Sequence, residues 1–410
     1  MYKKVYITRV CVLIVIWLHL SNSYDLVISN FLVNLDSIRS WLVWLSLGCL
    51  TISIVSQIFL GLRYAWRVFA VVLLNAFLVE KLLWFYIMFE LRLIPIYLII
   101  IFWGRQPERI SASLYLILYT IFFSLPFLII LLLMNLNFTM RTIQYKISVF
   151  LEILLLSPFL VKMPIIGLHY WLPKAHVEAR TTGSMVLAGV LLKLGGYGIL
   201  RLSNVVFKLT RLRIWLFTAV LARCVTIFQS DIKKLIAYRS VTHITFIIVG
   251  LMSSSKLIII SVVTLCIIHG WTSTLMFYIG GIIRHLTRTR FIYYMVTNIY
   301  NWFIVIIVVT LFINASMPPF PSFFREVLIV LPLSQILKLA NLRFIVLRFA
   351  ICYFSMYLYL LTCHTKHSYA LVGKNALSEG QIIVRLFLLN IESGLLLIWS
   401  RSLFSITFAK

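Results

Sequence analysis

The chain has 410 residues, 62% of them hydrophobic, and carries 37 Lys and Arg against 11 Asp and Glu, a net charge of +26. A soluble domain is about 45–50% apolar, so this excess, with a mean hydropathy of +1.04, excludes a water-soluble globule and leaves a polytopic membrane protein. In a soluble chain such a charge would suggest nucleic acid. Here the cations sit at the ends of apolar runs, as in Arg63…Arg67, Arg211-Leu212-Arg213 and Arg284…Arg288…Arg290, where they suit anionic lipid head groups such as those of cardiolipin and predict no nucleic-acid partner.

A spanning helix needs about 20 apolar residues, so the chain is expected to be all-α with about 12–14 transmembrane helices. The apolar runs place them over 5–20, 38–62, 66–80, 82–103, 110–135, 147–171, 183–202, 213–229, 232–252, 257–283, 292–314, 316–338, 343–363 and 381–405. Met1-Tyr2-Lys3-Lys4 before the first run superficially resembles a signal peptide, but no small-residue cleavage site follows, so the run is read as a spanning helix. Asp36-Ser37 offers cap oxygens to the second helix.

Ionisable residues at bilayer depth each cost at least roughly 2.5–3.5 kcal/mol and mark function. In chain order the first is Glu90, well inside the helix over 82–103. A partner lysine would hold it ionised. Lys162 follows in the run Val161-Lys162-Met163-Pro164. Proline removes a helical hydrogen bond and clashes with the preceding turn, so the helix is expected to break there. His169 and His176 flank that break, with His176 expected near the interface. Lys193 comes next, beside Gly195, Gly196 and Gly198, which allow close helix approach. A buried lysine can exchange a proton where an arginine cannot. His243 and His269 lie in the next two long runs, and histidine is a natural proton shuttle. A second break is expected at Ser316-Met317-Pro318-Pro319-Phe320-Pro321, shortly before Glu326.

Broken helices at matching places in two halves predict a transporter built from two inverted five-helix repeats. The expected division is 1–80, N-terminal helices; 81–205, a first half with Glu90, Lys162 and Lys193; 206–363, a second half with His243, His269 and Glu326; and 364–410, a C-terminal helix. The cysteines Cys11, Cys49, Cys224, Cys266, Cys352 and Cys363 form no CxxC and read as small core residues, with no disulfide or metal framework. No phosphate-cradling glycine loop, GxSxG or HExxH is present.

At these residues the chain resembles the antiporter-like membrane subunits of NADH:ubiquinone oxidoreductase, respiratory complex I. The matching blocks are Phe89-Glu90…Leu93-Ile94-Pro95, Trp103-Gly104…Glu108-Arg109 and Val161-Lys162-Met163-Pro164…Trp171-Leu172-Pro173-Lys174-Ala175-His176-Val177-Glu178-Ala179. They continue through Gly183-Ser184-Met185, Leu191-Leu192-Lys193-Leu194-Gly195-Gly196, Phe228-Gln229-Ser230-Asp231, Ser240-Val241-Thr242-His243 and His269-Gly270. The Lys-Met-Pro block is similar to the chain 4 branch rather than to the sibling chains 2 and 5.

The resemblance implies a proton-translocating subunit of the NADH:ubiquinone reductase of the mitochondrial inner membrane. Glu90 and Lys162 resemble the pair of a first half-channel, Lys193 a central lysine, His243 and His269 the axis beyond it, and Glu326 a terminal acid. It further implies no cofactor in this chain. NADH, FMN, iron–sulfur clusters and ubiquinone belong to other subunits, and the neighbours are membrane-arm subunits including chains 2 and 5. The chain departs from the pattern at Arg92, Arg180, Arg239 and Arg325, and Arg325 is expected to hold the adjacent Glu326 ionised. The alternatives are a multisubunit cation/proton antiporter and a structural subunit that no longer pumps.

Overall fold

The structure, a computed structural model, describes residues 37–56, 60–79, 81–104, 106–133, 149–163, 167, 169–206, 212–251, 256–287, 289–291, 301–318, 320–336 and 340–363. The helices expected over 5–20 and 381–405 and the cap at Asp36 lie outside these residues.

The described residues form an all-helical membrane protein. Among them, six segments are long and apolar enough to cross a membrane: Gly61–Leu78, Leu82–Trp103, Arg109–Leu133, Thr181–Leu202, Ile232–Leu251 and Ile258–His285. The chain divides into two compact units, one holding described residues within 37–162 and 178–206, the other those within 163–177 and 207–363.

In the first unit, α1 (Ser37–Val55) and α2 (Leu60–Leu78) turn earlier than the expected boundary after residue 62. The single helix expected over 82–103 is two, α3 (Leu82–Leu91) and α4 (Leu93–Trp103), jointed at Arg92. Pro95 has no N–H to give to the Leu91 carbonyl, which breaks the ladder at that turn. Next comes α5 (Arg109–Leu133), with Pro126 inside it. Its inward residues include Ala112, Ser113, Thr120 and Ser124, while Leu118, Phe122, Leu125 and Ile129 point out. Small and hydroxyl residues inside with bulky apolar residues outside is a lipid-facing helix, because in a bilayer close packing rather than water exclusion drives helix association. The hydroxyls are satisfied by their own helix, as in Thr120 Oγ1 to Leu116 O at 2.9 Å.

The span expected over 147–171 ends as α6 (Val149–Lys162), and a separate α7 (Trp171–Glu178) follows. The break falls at Lys162-Met163, ahead of Pro164, and Gly167 takes a positive φ of 97°, which its missing Cβ permits. The next span is α8 (Thr181–Val186), a π-helical turn over Leu187–Leu191, then α9 (Leu192–Val206). An aromatic core locks this unit. Phe159 stacks among Phe85, Phe89 and Phe127 at centroid distances of 6.1, 5.3 and 5.4 Å. Gly198 lies so close to Phe159 that a Cβ there would come within 2.2 Å of the ring.

The second unit holds α7 up to Val177, α10 (Leu212–Ile227), α11 (Ile232–Leu251), α12 (Lys256–Thr287), α13 (Asn301–Asn314), α14 (Pro321–Ile336) and α15 (Ala340–Cys363). Helix α11 is buried along nearly its whole length. Its enclosed surface carries polar groups among the apolar ones, with Lys233, Arg239, Ser240, Thr242, His243 and Thr245 all buried. The helix expected over 316–338 starts only at Pro321, because Ser316–Phe320 is the irregular joint the prolines predict. Ser316 takes φ 53°, a left-handed conformation rare for a residue with a Cβ.

Candidate functional site

In the first unit, Glu90 sits near the end of α3, inside the span Leu82–Trp103, and Lys162 is the last residue of α6. The expected pair is present, with Lys162 Nζ 3.8 Å from Glu90 Oε1. That separation is longer than a direct hydrogen bond, which for an ion pair is about 2.7–2.9 Å. Neither Glu90 oxygen, nor Lys162 Nζ, has a hydrogen-bond partner among the described residues. The contact is therefore electrostatic and loose, held in an apolar wall that includes the Phe89 ring 4.9 Å from Nζ. A pair of this kind can open without tearing a hydrogen-bond network.

Lys193 follows the π-helical turn and is 3% exposed. Its Nζ donates to the carbonyl of Ala188 at 2.6 Å. Lengthening the helical repeat turns carbonyls away from their usual donors, and such turns cluster at functional sites. The neighbouring buried Tyr197 accepts from Arg39 Nε and from Arg201 Nε, each at 2.8 Å.

The second unit gathers His243, His269 and Glu326. The imidazoles of His243 on α11 and His269 on α12 are 5.3 Å apart between centroids. His243 Nδ1 is 3.2 Å from Glu326 Oε1. Glu326 is wholly buried on α14. The same Oε1 accepts from Ser316 Oγ at 2.7 Å, and Oε2 faces Arg348 Nη2 of α15 at 2.9 Å. Arg348 Nη1 also donates to Ser316 O. The left-handed turn at Ser316 thus aims its hydroxyl at the carboxylate and its carbonyl at the cation that neutralises it. These four groups tie three helices and the broken joint into one buried network.

One expectation is corrected. The cation on Glu326 Oε2 is Arg348, not the adjacent Arg325. Successive helical residues point about 100° apart, as 3.6 residues per turn requires, so a chain neighbour is badly placed to reach the same carboxylate. His176 is fully buried and stacked on Phe277, 4.6 Å between centroids with planes 7° apart. His169 stacks on Tyr170 at 4.6 Å.

Arg348 and Ser316 escaped the sequence reading. The available signal was an arginine inside the apolar run Phe344-Ile345-Val346-Leu347-Arg348-Phe349-Ala350 and a serine before a double proline. The departure at Arg180 has a local explanation: its Nε donates to Trp103 O at 2.7 Å, satisfying a carbonyl that the C-terminus of α4 leaves open.

The profile of the family described as NADH:quinone oxidoreductase/Mrp antiporter, TM, matches residues 80–352. The NADH-ubiquinone oxidoreductase chain 4 of Lumbricus terrestris is 35% identical over 302 residues, 68% of this chain and 65% of that protein. The chain 4 of Caenorhabditis elegans is 39% identical over 251 residues, 60% of this chain and 61% of that protein. That of Artemia franciscana is 34% identical over 311 residues, 73% of this chain and 79% of that protein. The chain thus spans under two thirds of the first two relatives. Two solved structures share the fold. A chain of respiratory complex I from Thermus thermophilus with bound NADH has a TM-score of 0.73 at 20% identity, covering 88% of this chain and 85% of its own. A chain of the Mrp complex from Dietzia has 0.74 at 14% identity, covering 91% and 84%. A buried carboxylate–lysine pair before a broken helix, a lysine past a π-helical turn and a match across residues 80–352 converge: the chain belongs to the NADH:quinone oxidoreductase/Mrp antiporter transmembrane family.

Proposed function

We propose that this chain is a proton-translocating membrane-arm subunit of NADH:ubiquinone oxidoreductase, of the chain 4 type, in the mitochondrial inner membrane. The observation that carries the reading is the loose Glu90–Lys162 pair at 3.8 Å, buried beside a helix break. Such a pair is a charge that can be switched. A charge change arriving from a neighbouring subunit weakens it, and Lys162 passes its proton toward Lys193. The proton continues by His243 and His269 and leaves near Glu326. Moving one charge against 100 mV takes about 2.3 kcal/mol, within the range that a few kcal/mol of Coulomb energy at a buried pair can drive. The energy comes from NADH oxidation and quinone reduction. FMN, iron–sulfur clusters and ubiquinone belong to other subunits, and no resident cofactor is assigned to this chain. Membrane-arm subunits such as the antiporter-like chains 2 and 5 are its neighbours, and the basic helix ends meet anionic lipid such as cardiolipin.

In the assembled complex, Lys162→Ala is expected to lower the protons moved per NADH oxidised in sealed vesicles. An unchanged ratio would refute the relay. The Mrp-like fold supports a second reading, a cation/proton antiporter subunit. Sodium-dependent proton exchange without NADH, from a particle lacking NADH dehydrogenase activity on native electrophoresis, would establish that reading instead.

A further inference from the structure

Glu90 has a second cation beside it. Arg92, at the joint between α3 and α4, is fully buried. Its Nε donates to Phe89 O at 2.8 Å, and its guanidinium carbon lies 4.0 Å from the centroid of the Phe89 ring. Lys162 Nζ lies 4.9 Å from that same centroid. Laid end to end, those distances put the two cations no more than about 9 Å apart, a range over which buried charges are little screened. Arg92 and Lys162 each interact electrostatically with Glu90 and with one another. Arg92 Nη1 and Nη2 have no hydrogen-bond partner among the described residues.

One carboxylate thus shares the apolar wall around Phe89 with two cations. An arginine does not shed its proton in a protein, whereas a buried lysine does so readily. Of the three groups, Lys162 is the one that can leave the charged set while Glu90 stays ionised. In a bare Glu–Lys pair, a proton leaving the lysine would have the carboxylate as its nearest acceptor. It would be recaptured there, because an unpaired carboxylate in apolar surroundings is strongly unfavourable. A fixed cation removes that trap.

We infer that Arg92 is a standing counter-ion for Glu90, a positioning residue that keeps the carboxylate charged and in place each time Lys162 releases its proton. The inference rests on the relay proposed above, and the test separates the two. By way of Phe89 and Lys162, the Arg92 guanidinium carbon lies no more than about 13 Å from Glu90 Oε1, and opposite charges that far apart at an effective dielectric of about 20 couple by a factor of about 10. In sealed vesicles carrying the assembled complex, NADH-driven acidification is measured for R92L, R92K, E90Q, E90Q/R92L and K162A. R92L is expected to slow pumping by about tenfold and R92K to restore only part of it, because a buried lysine can itself lose its proton. Because Arg92 acts through Glu90, R92L is expected to add little to E90Q. A silent R92L, or one that loses the same factor with and without Glu90, overturns the inference while leaving the relay standing. A silent K162A overturns the relay. If R92L does not assemble, E90Q/R92L is expected to assemble, since the lone carboxylate is what R92L strands. Failure of that double variant as well assigns Arg92 a purely structural role and overturns the inference.

Discussion

Replacing Arg348 with Met is the most direct perturbation of the second cluster. The guanidinium lies 2.9 Å from Glu326 Oε2, and the carboxylate is wholly buried. At that distance and an effective dielectric of about 20, the gross attraction is about 6 kcal/mol. Desolvation of both groups offsets part of it, so the pair itself adds less. Removing one partner is a different matter, because it strands the other charge, and it typically destabilises by about 3–5 kcal/mol. Arg348 also donates to the Ser316 carbonyl, so R348M loosens the joint between α13 and α14 as well. For a large helical domain this corresponds to a fall of about 6–15 °C in the thermal midpoint. The assay is the temperature at which the assembled, detergent-solubilised complex loses this chain to proteolysis. E326Q/R348M is the decisive control. Glutamine can keep the contacts to Ser316 and His243 without a charge, so the double variant should regain most of the loss. If R348M melts within about 2 °C of the parent, or if the double variant is no more stable than R348M, the electrostatic account of this cluster is wrong.

Other outcomes follow from local geometry. Gly198→Ala places a Cβ 2.2 Å from the Phe159 ring, which forces overpacking that costs about 1–3 kcal/mol. The same midpoint should fall, and F159L in that background should recover part of it by making room. At Ser316, alanine should destabilise more than glycine. Both remove the hydroxyl from Glu326, but φ 53° costs alanine a further 1 kcal/mol or about that, from which glycine is exempt. Equal midpoints for the two would mean that the backbone relaxes. The ratio of protons to NADH in K162A and the Arg92 series complete the set.

Several features could be read from the residues because each is a local consequence of covalent chemistry or of bilayer energetics. An apolar fraction of 62% has no aqueous home. Pro164, Pro318, Pro319 and Pro321 carry no N–H for a helical ladder, and helices end close to them, although α5 runs through Pro126 and α6 through Pro158. Glu90 inside an apolar run needs a cation, and Lys162 supplies it at 3.8 Å. The joint at Arg92 was legible in principle from Pro95, and the apolar run on both sides of it masked the break.

Folding alone decided which groups meet across helices. Helix α4 is apolar around its whole circumference and α3 is so apart from Glu90, so no stripe in the sequence says which face turns toward which neighbour. Arg325 is next to Glu326 along the chain, yet Arg348 on another helix reaches the carboxylate. His176 stacks on Phe277, a partner about a hundred residues away in the sequence. The φ of Ser316, which aims one residue at both members of an ion pair, exists only because those helices hold it there. Composition and proline set where this chain enters the bilayer and where its helices break. The pairing of its buried charges is a property of side chains from distant segments, which only the packed structure brings together.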